Sequence, residues 1–248
     1  MVAELPGFRR IEGRARLVDA RHVSVNGETL EADRILIASG AAPRIPPIPG
    51  LAEADYLTNE SAFELEELPA SLIVLGGRFV ALESAQTFAR FGVEVTVLQR
   101  SPRILPDEMP DLTDALSGFL EDEGVEAVTG VAVDRISSRA GGVEVEAEVD
   151  GAQRTFRASR VLVATGRRPN TRDMGLRQAG TEVDGGGFVA VDATLETTVE
   201  GVYAAGDVIG GPMYVYTAAY EGPLAVENAL AEGPPRERDY AGPPRCCR

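Results

Sequence analysis

Residues 71–100, SLIVLGGRFVALESAQTFARFGVEVTVLQR, decide the fold of this chain. A short β-branched run, Ser71–Leu75, predicts a buried strand, and Gly76–Ala81 predicts a tight turn after it. A helix over Leu82–Arg90 and a second strand over Val93–Leu98 complete a βαβ unit. Two strands joined by a helix are typical of an α/β fold with a parallel sheet.

The turn has the composition of a dinucleotide-binding loop. Glycines at a strand–helix junction direct backbone N–H groups and the positive helix end toward a pyrophosphate. Gly76 and Gly77 provide the tight turn, and Ala81 occupies the third small position, where helix and strand approach closely. Arg78 replaces the second glycine of the pattern. Its guanidinium either pairs with a phosphate oxygen or is a solvated arginine on a turn.

The end of the second strand predicts which nucleotide binds. An acid at this position accepts a hydrogen bond from the 2′-hydroxyl of NAD, whereas an arginine neutralises the 2′-phosphate of NADP. Here Gln99 and Arg100 close the strand, and Arg103 follows. The sequence therefore predicts that the chain prefers NADPH.

Composition limits the classes of partner. The 248 residues suit one large or two medium domains, and the 44% hydrophobic and 25% charged content is that of a globular protein. A net charge of −15 disfavours nucleic acid and anionic membrane surfaces as partners. No apolar run reaches the roughly 20 residues of a membrane-spanning helix, and the first residues lack the features of a signal peptide. We therefore expect a cytoplasmic protein.

Histidine and cysteine are scarce. His22 is the single histidine, so an acid–base mechanism centred on histidine is not expected from this chain. The two cysteines, Cys246 and Cys247, are adjacent, which is not a disulfide framework and fits a reducing compartment.

One pattern occurs twice. Ala32–Gly40 is followed three residues later by Pro43, and Ala158–Gly166 is followed three residues later by Pro169. The alternative is two unrelated buried strands with similar stops. Because Ala, Arg, Ala, Gly and Pro match at equal spacings, a repeated structural unit is the stronger interpretation.

Further elements are predicted between the two copies, after the βαβ unit. A helix over Pro110–Glu123 and a strand over Val125–Val128 come first. Three strand-like runs follow, separated by hairpin turns at Gly141-Gly142 and Asp150-Gly151: they are Val131–Ile136, Val143–Val149 and Ala152–Phe156. The order predicts a nucleotide-binding α/β unit with an antiparallel meander, inserted between two halves of another domain.

The residues resemble the pyridine nucleotide-disulfide oxidoreductases from about Ile11 to Leu230. The resemblance is carried by the Ala-Ser-Gly and Ala-Thr-Gly stops at 38–40 and 164–166, by Gly166–Asn170 and by Gly201–Val208. Within that family the chain is most similar to the mercuric reductases, in the blocks Pro46–Gly50, Val80–Gly92 and Val215–Ala219.

The resemblance implies an α/β, two-domain FAD/NAD(P)-binding Rossmann-like fold. The NAD(P) domain is expected at 49–166, inserted in a partial FAD domain at 1–48 and 167–232, with an irregular tail at 233–248.

The resemblance also implies roles for single residues. Phe79 occupies the place of an aromatic lid over the flavin, although a core position on the helix explains it equally well. Glu83 corresponds to a glutamate near the contact between nicotinamide and flavin; a first-turn glutamate favoured by the helix dipole is the alternative. Asp207, after Gly206, corresponds to an aspartate that accepts a hydrogen bond from the flavin's ribitol chain. Gly166, which opens its family block, is assigned to the cofactor site.

The implied function is a flavin-dependent oxidoreductase that passes electrons from NADPH through FAD to Hg(II). Cys246 and Cys247 match the vicinal thiols that bind Hg(II) in mercuric reductases, but the preceding Pro243–Arg245 favours an accidental match. A non-catalytic NADPH-binding module and a lipoamide dehydrogenase-like parent enzyme are the alternatives. Gln99 and Arg100 argue against the latter, because such enzymes use NAD.

Three parts of the family's architecture have no counterpart in this sequence: the first flavin-binding βαβ unit, the redox cysteine pair and the dimerisation domain that makes full-length members homodimers. We therefore expect an internal fragment that is inactive alone. It should bind FAD weakly or not at all.

Overall fold

The computed structural model describes residues 7–241, which divide into two compact units. One unit is Pro43–Arg167, called the inserted unit below; the other, the flanking unit, comprises the described residues before and after it. Among the described residues, no helix is both long and apolar enough to cross a membrane.

The elements follow one another closely along the chain. The strands are β1 (Arg16–Leu17), β2 (His22–Val25), β3 (Glu28–Glu31), β4 (Ile35–Ile37), β5 (Ala41–Pro43), β6 (Tyr56–Leu57), β7 (Ser71–Leu75), β8 (Glu94–Leu98), β9 (Val125–Val128), β10 (Val131–Arg139), β11 (Gly142–Val149), β12 (Ala152–Ala158), β13 (Arg160–Val163), β14 (Arg167–Pro169) and β15 (Val202–Ala204). The α-helices are α1 (Phe79–Arg90), α2 (Pro110–Asp122) and α3 (Val215–Leu230). Short 3-10 helices span Ser61–Glu64 and Gly206–Ile209.

The inserted unit is built on a five-stranded parallel sheet in the order β6-β13-β7-β8-β9. Its central strand, β7, is buried over Leu72–Leu75, as expected for a parallel strand covered on both faces. The helix α1 packs on this sheet through Ala81, Ala85 and Phe88, which are at most 3% exposed. The predicted βαβ unit is therefore present, with all strand carboxyl ends at one edge.

One boundary of that unit was wrong. The helix was predicted from Leu82 but begins at Phe79, because the Leu82 N–H already bonds the Arg78 carbonyl at 3.0 Å. The turn therefore needs only Gly76–Arg78, and Ala81 lies in the first helical turn, where it is fully buried.

The predicted meander is confirmed as a three-stranded antiparallel sheet in the order β10-β11-β12. Asp150 and Gly151 have φ of 51° and 78°, which is the left-handed geometry of a two-residue hairpin turn. The strands β10 and β12 run on to Arg139 and Ala158, past the predicted ends at Ile136 and Phe156, because cross-strand pairing continues there.

The flanking unit contains two small sheets and the long helix α3. The strands β1, β2 and β3 form an antiparallel sheet, and β4 pairs in parallel with β15. A buried cluster beneath them joins distant parts of the chain and includes Leu17, Ile37, Leu176, Val189 and Val202. The unit therefore folds around its own core.

Candidate functional site

The turn between β7 and α1 can be made only by glycine. Gly76 has a φ of +116°, and a Cβ there would lie 2.4 Å from the Ala164 carbonyl oxygen. The Gly76 N–H bonds the Leu98 carbonyl at 3.0 Å, so the turn is fixed against both neighbouring strands. Any side chain would clash with backbone rather than with a movable group.

Gln99 packs under the second residue of the turn. The Gln99 side chain is 7% exposed, and a Cβ on Gly77 would lie 2.9 Å from its Cγ. Its Oε1 accepts the Arg100 N–H at 3.2 Å, and its Nε2 donates to the Arg103 carbonyl at 3.3 Å. The Leu105 N–H adds a bond to the Gly77 carbonyl at 2.8 Å. Gln99 therefore braces the loop after β8, and the Leu105–Gly77 bond joins this loop to the glycine turn.

The bracing role of Gln99 was not predicted from the sequence. The signal was available, because a glutamine directly after a buried strand is a polar group that needs partners at the sheet edge.

Arg78 forms an ion pair within the protein. It is the extended residue before α1, and its guanidinium lies 2.6 Å from the Asp107 carboxylate. The two side chains are 58% and 68% exposed, so the pair is worth at most about 1 kcal/mol. Both roles given to Arg78 from the sequence stay predictions: a solvated arginine on a turn and a contact to a phosphate oxygen. The phosphate contact would replace the pairing with Asp107.

Two further arginines follow β8 at the same sheet edge. Arg100 is exposed, whereas Arg103 is half-buried and donates to the Pro106 carbonyl at 3.0 Å. Gln99 holds the backbone of both residues. Positive charge is therefore presented next to the glycine turn on a braced loop.

The remaining predicted residues of the inserted unit lie on α1 and after β13. Phe79 is 42% exposed and Glu83 is exposed one turn later on the same helix face. Gly166, with a φ of +124°, accepts a hydrogen bond from the Arg44 N–H at 2.9 Å. Ala164, which directly follows β13, supplies the carbonyl that a Cβ on Gly76 would meet. The structure thus brings Gly76, Gly77 and Gly166 to one sheet edge.

Gly206 and Asp207 lie in the flanking unit. They begin the 3-10 helix Gly206–Ile209, which follows the end of β15. Gly206 has a φ of +78°, and its N–H bonds the Oε2 of Glu221 at 2.8 Å. Asp207 is half-buried.

A polar network stands behind this second turn. Glu221, on α3, is 1% exposed and accepts a hydrogen bond from the Tyr240 hydroxyl. Burial, followed by the Glu221 carboxylate, raises the pKa of Tyr240 to about 12. None of these network residues was predicted; the signal was a glutamate on the α3 face that also buries Thr217 and Leu224.

The cavity and the candidate metal site involve residues other than those of the two turns described above. A cavity of about 360 Å³ in the flanking unit is bounded by residues such as Arg16, Met174 and Arg177. Within residues 7–241 no group of three His, Cys, Asp or Glu side chains is placed to hold a metal ion. Cys246 and Cys247, predicted with low weight as a metal site, lie outside the described residues.

Known proteins are similar to this chain in sequence. A mercuric reductase from Staphylococcus aureus is 41% identical over 224 residues, which cover 90% of this chain and 41% of that protein. A dihydrolipoyl dehydrogenase from Thermus scotoductus is 39% identical over 226 residues, 90% of this chain and 49% of that protein. The chain therefore spans less than half the length of these relatives.

A solved structure has the same fold. The HOCl-induced flavoprotein disulfide reductase RclA from Escherichia coli superposes with a TM-score of 0.87 at 32% identity, covering 95% of this chain and 54% of that one. A family model for pyridine nucleotide-disulphide oxidoreductases matches residues 2–222. The chain belongs to the pyridine nucleotide-disulphide oxidoreductase family.

Proposed function

We propose that this chain provides the NADPH site and part of the FAD site of a flavin-dependent oxidoreductase. Enzymes of the family use FAD and a pyridine nucleotide. The observation that carries the choice of NADPH is the end of β8, where a buried Gln99 replaces an acid and Arg100 is exposed beside it.

The residues present fit a pyridine nucleotide. The backbone of Gly76 and Gly77 and the N-terminus of α1 form the expected cradle for a pyrophosphate. Arg100 would pair with the 2′-phosphate, and Arg103 would add positive charge to the same loop. Arg78 would pair with a phosphate oxygen after release from Asp107. All 24 basic residues of the chain are arginines, whose fork suits phosphate oxygens.

The flavin assignment depends on Asp207. Its carboxylate would accept a hydrogen bond from a ribitol hydroxyl, and the left-handed Gly206 sets the backbone direction at that point. Bound FAD would supply the ring system that takes up a hydride. Phe79, exposed on α1, would cover the flavin until the nicotinamide enters, and Glu83 would orient groups at their contact.

The proposed electron acceptor is Hg(II), in keeping with the relatives named mercuric reductase. A pair of adjacent thiolates such as Cys246 and Cys247 suits a soft cation. Homodimerisation, implied by the family resemblance, belongs to the same proposal for the whole enzyme.

A dihydrolipoyl dehydrogenase-like function is the second candidate, because proteins of that name are 35% and 39% identical to this chain. The residues that distinguish the two are Gln99 and Arg100, since an NAD-linked enzyme is expected to carry an acid there. A non-catalytic NADPH-binding module would share the nucleotide site and lack flavin reduction.

Calorimetric titration of the chain with NADPH and with NADH tests the proposal. We expect NADPH to bind at least about 10-fold more tightly, as one charge-assisted phosphate contact would give. Tighter binding of NADH would favour the dihydrolipoyl dehydrogenase-like candidate, and equal affinities or binding of neither nucleotide would contradict the proposal. NADPH binding without reduction of added FAD would favour the non-catalytic module.

A further inference from the structure

Glu221 links the Gly206–Asp207 turn to a distant part of the chain. Its side chain is 1% exposed and accepts hydrogen bonds from two separate segments of the chain. Oε2 accepts the Gly206 N–H at 2.8 Å, and Oε1 accepts the Tyr240 hydroxyl. A buried carboxyl group is costly unless such partners satisfy it, so this arrangement is specific.

Tyr240 belongs to a segment that folds back on the flanking unit. This segment, residues 233–241, is called the strap. Asn228, 7% exposed, accepts the Arg236 N–H at 2.8 Å and donates to the Arg236 carbonyl at 2.9 Å. The Arg238 N–H bonds the Ala193 carbonyl at 2.8 Å. The strap therefore lies in a defined position, although it has no regular secondary structure.

A second tyrosine also contacts the strap. The Tyr220 hydroxyl accepts the Asp239 N–H at 2.9 Å, and its ring lies edge-on to Tyr240 at 6.3 Å. Of these two tyrosines, Tyr240 bonds Glu221 and Tyr220 bonds the strap backbone. Removing one hydroxyl or the other therefore distinguishes two contacts of the strap. The Tyr220 hydroxyl attaches the strap, and the Tyr240 hydroxyl bonds the buried carboxyl group.

We propose that Glu221 is a positioning residue for the Gly206–Asp207 turn, and that Tyr240 of the strap holds Glu221 in place. By fixing the Gly206 amide it fixes the next residue, Asp207, whose carboxylate is the proposed ribitol acceptor. The consequence for FAD rests on the proposed function. The positioning of the Gly206 amide is independent of the proposed function, and it can be measured without any cofactor.

A matched pair of variants tests the role of the carboxyl oxygen. Glu221→Gln keeps an acceptor for the Gly206 N–H, whereas Glu221→Met has similar length and none. By NMR, we expect hydrogen exchange of the Gly206 amide to be about 10-fold faster in Glu221→Met and within about 3-fold of wild type in Glu221→Gln.

A third variant controls for general loss of stability. Leu224→Ala creates a cavity on the same helix, where Leu224 is 3% exposed and packs with Ala205. It should leave Gly206 exchange within about 3-fold of wild type under native conditions. The proposal would be overturned if Gly206 exchange were equally faster in all three variants. It would also be overturned if exchange were no faster in either Glu221 variant.

Two tyrosine variants test the strap, and they decide the matter if Glu221→Met does not fold. Tyr240→Phe removes the donor to Glu221, and Tyr220→Phe removes a hydroxyl of the same strap that does not contact Glu221. We expect about 3-fold faster Gly206 exchange in Tyr240→Phe and less than about 2-fold in Tyr220→Phe. The same effect in both variants, or none in Tyr240→Phe, would contradict the coupling.

FAD affinity provides a separate result. If Asp207 acts as proposed, FAD should bind more weakly in the variants whose Gly206 amide exchanges faster, in the same order. If the wild-type chain binds no FAD, the flavin part of the proposed function fails in this chain, while the exchange rates still decide the positioning role of Glu221.

Discussion

The two turns assigned to cofactors are held by different kinds of contact. Gly76 of the inserted unit is fixed by backbone alone, through the Leu98 carbonyl and close approach to the Ala164 carbonyl. Gly206 of the flanking unit is fixed by the side chain of Glu221, which in turn contacts Tyr240. The first arrangement depends on residues having no side chain, and the second depends on one buried carboxyl.

This difference decides what each turn tolerates. A backbone-held turn fails when a side chain is added, because strand carbonyls cannot move away. A side-chain-held turn fails when its acceptor is removed, because the freed donor is left without a partner. We therefore expect the first turn to be sensitive to substitution of its glycine and the second to substitution of Glu221.

The largest effect is expected at Gly76. Gly76→Ala should destabilise the protein by about 3 kcal/mol or more, because φ is +116° and the new Cβ would meet a carbonyl oxygen at 2.4 Å. Urea denaturation measures the loss. The matched control is Gly118→Ala on α2, where a Cβ meets nothing within 4 Å and helix propensity should add up to about 1 kcal/mol. Similar changes in both variants would show that the backbone contact is unimportant.

The same difference explains what could be predicted from the sequence. The βαβ unit, the meander and its hairpin turns depend on local patterns, and they are present. The start of α1 was missed because hydrogen bonding, rather than periodicity, closes its first turn at Leu82. The bracing by Gln99 is local but depends on side-chain direction. Glu221 and Tyr240 lie 15 and 34 residues from Gly206, so no local pattern connects them.

A smaller effect is expected at Gln99, a buried side chain that braces the loop after β8 beside the backbone-held turn. Gln99→Met keeps the volume and removes the bonds to the Arg100 N–H and the Arg103 carbonyl. Stability should fall by about 1–2 kcal/mol, and NADPH affinity should fall more than NADH affinity. Gln153→Met, which removes an exposed bond to Asp134, should change stability by less than about 0.5 kcal/mol.

The side-chain-held turn should show alkaline sensitivity. Tyr240 has a pKa raised from 10.0 to about 12, so its stabilising hydrogen bond is fully present below pH 10 and is lost as the pH rises through about 12. Because Tyr240 is 45% exposed, the loss of unfolding free energy should be below about 1 kcal/mol. Absorbance at alkaline pH follows the phenolate, and Tyr240→Phe should remove one late-titrating group. An unchanged titration would contradict the assignment.

The smallest effect is expected at the exposed ion pair of Arg78. Asp107→Asn frees the guanidinium and removes a negative charge beside the glycine turn. NADPH and NADH should both bind about 2- to 3-fold more tightly, because the pyrophosphate is common to them. Asp122→Asn, on the exposed surface of α2, carries the same change in charge and should leave both affinities unchanged. Weaker binding in Asp107→Asn would contradict this expectation and would mean that Asp107 positions Arg78 for nucleotide binding.

The preference for NADPH is tested most directly by titrating Arg100→Ala with both nucleotides. We expect NADPH affinity to fall about 10- to 100-fold and NADH affinity to stay within about 2-fold, because the 2′-phosphate alone distinguishes the two. Arg135→Ala, a change at an exposed arginine of β10, controls for net charge. An equal loss for both nucleotides in Arg100→Ala would contradict the assignment of Arg100 to the 2′-phosphate.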